Sequence, residues 1–274
     1  MAAISIEHLT IRFGQHVLAV DDFSLEVKEG EFVSIVGPSG CGKTTVLNQL
    51  TGLLPPQEGR IAILGKPPRE GNADLAYMLA RDCLLPWRTA LANACYGMEM
   101  RGVTRAQAVQ QARKLLAQVG LAGFEDSFPK ALSHGMRQRC ALARTFALDS
   151  PILLMDEPFG ALDAQTKLAL EDLLLQLWQA QRRTVVFITH DLGEAVALSD
   201  RVVVMSARPG RIVADVPIPL ARPRSVRALQ KSPEYHEIYT HVWEQLERGI
   251  QQSGATVKTA EPEPGHERRS TQFA

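Results

Sequence analysis

The chain reads Gly37-Pro38-Ser39-Gly40-Cys41-Gly42-Lys43-Thr44 directly after the apolar run Phe32-Val33-Ser34-Ile35-Val36. The spacing G-x-x-x-x-G-K-T is typical of a phosphate-binding loop between a strand and a helix. Glycines let successive backbone N–H groups point at an anion, and the helix that follows adds the positive end of its dipole. We expect Lys43 to reach the terminal phosphates and the Thr44 hydroxyl to hold Mg2+. The stretch predicts a nucleotide site in an α/β fold.

Composition limits the class of protein. The 274 residues suit one large α/β domain or a domain with an appendage, and 45% hydrophobic residues suffice to bury a core. The 30 basic residues balance 30 acidic residues, so no overall charge favours nucleic acid as a partner. The four cysteines lack paired spacing, which fits a reducing compartment, and no apolar run approaches the ~20 residues that span a bilayer. We expect a cytoplasmic protein that works at a membrane only through a partner.

Two kinds of strand pattern follow one another along the chain. Apolar residues alternate from Ile4 to Phe13 and again from Phe23 to Val27, which predicts an antiparallel N-terminal section. Residues 59–65 suggest a further short strand between turn glycines. The runs 32–36, 151–155, 184–189 and 202–205 are more continuously apolar, as strands at the centre of a parallel sheet are. The sequence thus predicts a mostly parallel central sheet with an antiparallel β section before it.

Helical patterns fill much of the remaining chain. Residues 75–128 are expected to be mostly helical, because Val109, Ala112, Leu115 and Leu116 are spaced for one buried face. Prolines beyond residue 210 predict an irregular connection, and Pro233 to Gln252 predicts a helix used in packing or dimer contact. From Ser253 onward polar residues, Gly and Pro dominate, which predicts a disordered tail.

Chemistry-capable residues stand at the ends of the apolar strands. Asp156 and Glu157 end one run and His190 follows another. Ligand groups in open α/β sheets gather at the carboxyl ends of strands. Asp156 is therefore placed to bind Mg2+, Glu157 to orient or deprotonate an attacking water, and His190 to contact a γ-phosphate.

A helix start at residues 132–136 offers a further anion site. Ser133 can cap this helix, and the backbone amides of its first turn would face an anion. Read by itself, the segment Leu132-Ser133-His134-Gly135-Met136 fits a simple capped helix start at least as well.

The set as a whole resembles the ATP-binding-cassette (ABC) transporter ATPase subunit across roughly residues 4–210. The matching motifs are a Walker A loop, a signature-like Leu132 to Met136, a Walker B strand ending in Asp156 and Glu157, a D-loop at residues 160–163, and the switch His190. The segment Leu84-Leu85-Pro86-Trp87-Arg88 is similar to the one found in the nitrate, sulfonate and taurine importer group. The resemblance implies a P-loop NTPase cassette with a helical subdomain at about 80–150.

The resemblance also implies ligands and partners. Two cassettes, as a homodimer or a heterodimer, would hold two ATP molecules between them, each on Walker A of one copy and closed by Ser133 and Gly135 of the other. Phe13 stands where the family stacks an aromatic ring on adenine, although it also fits ordinary strand packing. Metal ligands would be Thr44 and Asp156, and catalysis would use Glu157, His190 and Lys43. The nucleotide-binding set is completed by the remaining loop residues, Gly37, Pro38, Ser39, Gly40, Cys41, Gly42 and Thr45.

Further implied partners are a transmembrane permease and, indirectly, a periplasmic solute-binding protein, with the chain bound peripherally at the cytoplasmic face of a bacterial inner membrane. In this family the solute is selected by those other chains. We expect an ATPase domain over 1–210, an extension ending in a helix over 211–252, and the tail over 253–274.

Two positions depart from the family pattern. Ala80 stands where the family has the Q-loop glutamine, and His134 replaces the first glycine of the signature. The alternatives are a weakly hydrolysing or regulatory nucleotide-binding subunit, a soluble ABC ATPase of DNA repair or translation, and a P-loop small-molecule kinase. The single cassette without a heptad run disfavours the second, and the signature-like helix start with His190 disfavours the third.

Overall fold

The computed structural model describes residues 2–14, 17–160 and 162–252, which form nine strands and eight α-helices. The strands are β1 (Ala2–Phe13), β2 (Val17–Lys28), β3 (Phe32–Val36), β4 (Glu58–Ile63), β5 (Leu75–Met78), β6 (Ile152–Asp156), β7 (Thr184–Ile188), β8 (Arg201–Met205) and β9 (Ile212–Pro217). The helices are α1 (Lys43–Leu50), α2 (Ala90–Met100), α3 (Arg105–Gln118), α4 (His134–Ala147), α5 (Ala164–Gln181), α6 (Leu192–Leu198), α7 (Val226–Leu229) and α8 (Pro233–Gln252).

The N-terminal strands form a separate antiparallel sheet in the order β2-β1-β4. Its alternating pattern buries Ile4, Ile6, Phe23 and Val27 on the side that faces the second sheet. These side chains share one cluster with α1 and with one face of β3, so the antiparallel sheet covers the phosphate loop's own strand and helix. The predicted antiparallel section is confirmed.

The central sheet has six strands in the order β5-β6-β7-β3-β8-β9. Its first five strands are parallel, and β9 pairs with β8 in the antiparallel direction. Every residue of β3, β6 and β7 is buried, which explains why these strands read as continuous apolar runs rather than as alternating ones. The fold class predicted from the sequence, a mostly parallel α/β sheet with an antiparallel section and helices, is confirmed.

Helices cover the second face of this sheet. The neighbours α2, α3 and α4 pack on one another beside β5, while α5 and α6 lie against the middle strands. Helix α8 packs on α6, β8 and β9 and buries Tyr235 and Val242. The division of the chain into an ATPase domain, an extension and a tail stays a prediction, and the tail lies outside the described residues.

Two segments differ from the sequence-based expectation. Residues 75–78, expected to be helical, form the edge strand β5, which pairs in parallel with β6. Residues 212–217, expected to be irregular, form β9, whose Pro217 lies at the strand end where the missing N–H costs no internal ladder bond. In both cases pairing with a buried neighbour decides the conformation of a short segment whose own pattern is weak. Within the described ranges, none of the helices combines the length and apolarity that crossing a bilayer requires.

Candidate functional site

The phosphate loop connects β3 to α1, as the sequence predicts. Gly42 precedes the first helical residue with φ +106°, in the left-handed region, and a Cβ there would lie 2.6 Å from Val20 Cγ2. A Cβ on Gly37 would lie 2.9 Å from the Met205 carbonyl oxygen. The glycines are therefore required because the loop is pressed against β2 and β8, which brings its backbone close enough to hold an anion.

Lys43 places its ammonium inside this loop. The side chain is only 5% exposed, and Nζ donates to the carbonyl oxygens of Gly37 at 2.8 Å and Pro38 at 3.1 Å. Cys41 is buried beside it, and burial raises the pKa of its thiol. The cation is therefore held at the loop centre by backbone groups, while a neutral thiol fills the space behind it.

Thr44 and Asp156 bring the ends of two different strands together. The Thr44 hydroxyl donates to Asp156 Oδ2 at 2.9 Å. Burial raises the pKa of Asp156, and the Thr44 hydrogen bond opposes this shift. A desolvated carboxylate whose side-chain partners are neutral hydroxyl groups gains from a cation, since burying charge without compensation is costly.

The same pair fits Mg2+ in its donor chemistry. Among the described residues no group of three or more His, Cys, Asp or Glu side chains could hold a metal. Mg2+ does not need such a cage, because it takes oxygen ligands, keeps several waters and often uses only one or two protein groups beside substrate phosphates. Thr44 and Asp156 supply two oxygens of the right kind.

Glu157 follows Asp156 and stands at the rim of the sheet. Its backbone has φ +44°, unusual for a residue with a side chain, and its N–H donates to the Ile188 carbonyl oxygen at 2.9 Å. His190, which follows β7, places Nδ1 3.1 Å from Glu157 Oε2. Strained backbone is often found at functional sites because the surrounding fold enforces it. Here the strain directs the carboxylate towards the switch histidine.

Lys43, Thr44, Asp156 and Glu157 line one cleft of about 400 Å3 at the carboxyl ends of the strands, and His190 contacts it through Glu157. Phe13 lies at its edge with 45% of its surface exposed. The lining residues are Phe13, Val17, Ala19, Ser39, Gly40, Gly42, Lys43, Thr44, Thr45, Ala80, Asp156, Glu157 and Arg208. The structure thus brings together most of the predicted loop, the two acidic residues and the predicted adenine-stacking ring.

Two polar residues of the site were not predicted from the sequence, nor were the apolar lining residues Val17 and Ala19. Tyr77 of β5 lies beside Asp156, and its pKa is raised by burial and by that carboxylate. Arg208 enters the cleft from the connection between β8 and β9. An Arg-Pro-Gly sequence directly after an apolar strand is the signal that could have pointed to Arg208, because the carboxyl ends of the parallel strands meet at this edge.

Ser133 and Gly135 lie elsewhere on the surface. Ser133 caps α4, its Oγ accepting from Met136 N at 3.3 Å, which confirms the predicted cap. A Cβ on Gly135 would lie 2.8 Å from Thr166 Cγ2 near the start of α5, so a larger residue there would require the Thr166 side chain to shift. Within the described part of the chain, neither residue lines the cleft. Of the predicted D-loop, Ala161 lies outside the described residues.

The segment that carries Ala80 is tied to the signature helix by arginines. Arg137 Nε donates to Asp82 Oδ2 at 2.9 Å, and its Nη2 lies 3.2 Å from His134 Nδ1. Arg144 donates to the carbonyl oxygens of Asp82 at 2.6 Å and Cys83 at 2.7 Å. Both departures from the family pattern therefore lie next to one network, which joins the segment after β5 to the first turns of α4.

Comparisons with known proteins identify the family to which this sequence belongs. The family described as ABC transporter matches residues 20–160. An uncharacterized ABC transporter ATP-binding protein of Methanocaldococcus jannaschii is 48% identical over 83% of this chain and 86% of its own. The taurine import ATP-binding protein TauB of Rhizobium johnstonii is 40% identical over 86% of this chain and 93% of its own.

Solved structures give the same result for the fold. The dimeric cassette MJ0796, in a post-hydrolysis state bound to ADP and Pi, is 29% identical and superposes with a TM-score of 0.68 over 80% of this chain and all of that one. The phosphate loop and the two acidic residues line one cleft, with His190 against Glu157, on a fold shared with that ADP- and Pi-bound cassette. The chain belongs to the ABC transporter family and is one of its ATP-binding ATPase subunits.

Proposed function

We propose that this chain energises the uptake of a small solute, of the taurine, sulfonate or nitrate kind, through a membrane permease. The observation that carries the ATPase part is the strand-end cluster in which Lys43, Thr44, Asp156 and Glu157 line one cleft, with His190 against the glutamate. The importer part is supported by the TauB relative and by the segment Leu84 to Arg88. The ATPase acts at the cytoplasmic face of the membrane as a peripheral subunit.

Lys43 and the loop amides bind the phosphates, because a buried ammonium and inward N–H groups replace the water that an anion loses. Thr44 and Asp156 hold Mg2+, which when bound neutralises phosphate charge. Phe13 offers an exposed ring at the cleft edge, and this exposure supports stacking on adenine.

Glu157 orients the attacking water and accepts its proton as the bond to the γ-phosphate forms. His190 holds Glu157 through the 3.1 Å contact and reaches the γ-phosphate with its exposed ring. The loop amides and Lys43 stabilise the negative charge of the leaving ADP. Positioning and charge stabilisation therefore carry the reaction, as phosphoryl transfer requires.

A second cassette completes the site. Ser133 and Gly135 are absent from the cleft of their own chain, and Ser133 is exposed at a helix N-terminus, where backbone N–H groups attract anions. We infer that they close over the ATP held by a partner copy. Closure then depends on nucleotide and opening follows hydrolysis, which gives a permease two states to follow.

The permease contacts exposed apolar residues in and next to the segment from Ala80 to Arg88. Trp87 is 71% exposed, and Leu79 is 42% exposed. Two large apolar side chains beside the segment that contacts α4 offer a surface for a membrane partner. A periplasmic solute-binding protein would take part through that permease.

The test is to purify the chain with the permease encoded beside its gene. We expect MgATP hydrolysis that rises when solute-loaded binding protein is added, and pair formation with a non-hydrolysable ATP analogue that Lys43→Ala abolishes. A complex that binds MgATP but hydrolyses it no faster than Glu157→Gln would contradict the proposal. That result would favour the regulatory alternative, which Ala80 supports because its methyl group offers the cleft no oxygen ligand.

A further inference from the structure

The connection between β8 and β9 is fixed against the phosphate loop. Gly210 N donates to the Ala19 carbonyl oxygen at 2.9 Å, and Asp21 N donates back to the Gly210 carbonyl oxygen at 3.1 Å. A Cβ on Gly210 would lie 2.0 Å from the Cys41 carbonyl oxygen. This close approach requires glycine and holds residues 206–211 against both β2 and the loop.

Arg208 extends from this connection into the cleft. Its guanidinium donates to the Gly40 carbonyl oxygen, from Nη2 at 3.2 Å and from Nε at 3.4 Å. Across residues 2–14, 17–160 and 162–252, no carboxylate lies within ion-pair distance of it. Its neighbour Arg211 is different, because Arg211 pairs with Asp21 and does not line the cleft.

A cation without a counter-ion in an anion cleft has a chemical consequence. Arginine has five N–H donors in a rigid fork that matches phosphate, and Arg208 uses only part of them on one carbonyl. Lys43 directs two of its three donors to the carbonyl oxygens of Gly37 and Pro38 deep in the loop. The cleft therefore has one buried cation at its base and one exposed cation at its rim.

We propose that Arg208 is a nucleotide-binding residue that contacts the phosphates of the bound nucleotide from the rim of the cleft. The proposal rests on the proposed function of the cleft as the ATP site. It assigns a role to the β8–β9 connection, which contains none of the family motifs of this sequence. Because Arg208 contacts Gly40, its guanidinium lies against the phosphate-binding loop and not only near Phe13 at the edge of the cleft.

The experiment measures the equilibrium dissociation constant of MgATP and MgADP for the full chain at 50 mM and 500 mM NaCl. We expect Arg208→Gln to weaken binding about five- to tenfold at low salt, as loss of a charge-assisted contact does, and by less at high salt because exposed charges are screened. The dissociation constant of Arg208→Lys should lie between those of the parent chain and Arg208→Gln. The matched control is Arg211→Gln, which removes the same charge from the same connection and should change the constant less than about twofold.

Several outcomes would overturn the inference. One is an Arg208→Gln constant equal to that of the parent chain while Lys43→Ala loses binding, and in that case the proposed function survives. Another is a loss that does not change with salt, which would indicate contact with the base rather than with phosphate. If Lys43→Ala also binds normally, the proposed function fails together with the inference.

Discussion

Two regions of this molecule contain residues that we propose to act on the nucleotide, and they are built differently. The strand-supported region contains the phosphate loop, Asp156 and Glu157, and it stands on β3, β6 and β7, whose residues are all buried. The helix-supported region contains Ser133, Gly135 and the segment around Ala80, and arginine contacts to Asp82 and Cys83 join its parts. The first region stands on fully buried strands, whereas the two parts of the second are joined to each other by partly exposed polar contacts. Both departures from the family pattern occur in the second region.

The largest effect is expected from the centre of the strand-supported region. Glu157→Gln removes the proposed general base and should lower the ATPase rate by about 10²–10⁴-fold, since that is the usual contribution of such a group. MgATP binding should persist, because the loop is unchanged. The control Glu125→Gln alters a carboxylate outside both regions and should leave the rate within about twofold. Steady-state hydrolysis measures the rate, and equilibrium binding measures the affinity for MgATP. A Glu157→Gln variant with half the parent rate would contradict the role of Glu157 as general base.

The second prediction breaks the close packing of the loop. Gly42→Ala would place a methyl group 2.6 Å from Val20 Cγ2 at φ +106°, so nucleotide binding should weaken more than about tenfold and stability should fall by about 2 kcal/mol or more. The matched control is Gly65→Ala, at φ +75° with nothing within 4 Å, which should cost only about 1 kcal/mol. Denaturant unfolding and nucleotide titration provide the comparison. Equal effects at the two glycines would mean that packing against β2 does not define the loop.

The third prediction concerns a buried carboxylate behind His190. Glu171 is 3% exposed, and burial first, then the neighbouring Glu194, raises its pKa to about 8. Asp191 and Asp172 add to the shift and Lys167 opposes it. The folded state therefore holds the proton more tightly than the unfolded state, so this contribution to stability is complete below about pH 4.5 and is lost as pH rises through 8.

Glu171→Gln imitates the protonated group and should remove that dependence. Between pH 6 and pH 9 the Tm of the parent chain should fall by several degrees relative to the variant, as a change of about 1–2 kcal/mol does in a chain of this size. Glu125→Gln, on an exposed segment, is the control. Parallel Tm curves for the parent and Glu171→Gln would show that Glu171 is already ionised in the folded protein.

A smaller effect is expected in the helix-supported region. Asp82→Asn and Arg137→Gln should each destabilise the chain slightly, and a double-mutant cycle should give a coupling of about 0.5–1 kcal/mol, because the two side chains are partly exposed. The control pair is Arg12 and Glu58, at 3.7 Å with both side chains more than half exposed, where coupling should be near zero. Denaturant unfolding measures both cycles, and equal couplings would remove the distinction between this network and ordinary surface pairs.

The smallest effect is expected from restoring the family residue. Ala80→Gln adds an amide oxygen at the cleft wall and should shift the Mg2+ dependence of hydrolysis by about threefold or less, since water can serve as the ligand in its place. The affinity for ATP should stay the same. The measurement is ATPase rate against free Mg2+, with Ala80→Met as a control of similar length. A large gain in rate with Gln alone would show that the missing oxygen limits catalysis.

Most of the fold could be predicted from the sequence, because long apolar runs leave few alternative structures. Strands β3, β6, β7 and β8 were predicted within a residue or two, and α8 was predicted at its observed bounds. Strand β5 was missed because Leu75-Ala76-Tyr77-Met78 is short and becomes a strand only through pairing with β6. Strand β9 was missed for the same reason, and because Pro217 at its end is a residue that argues against a strand.

For the site, the sequence alone determined the identity of the chemistry: a phosphate loop, two carboxylates and a histidine at strand ends, which define a nucleotide-binding ATPase by their types and spacing. Only the tertiary structure decided which distant residues meet. Arg208 reaches Gly40 because Gly210 allows the β8–β9 connection to press against Cys41. Arg137 meets Asp82 because α4 packs beside β5. Such contacts depend on the packing of elements far apart in the chain, and a local pattern does not specify which residues meet.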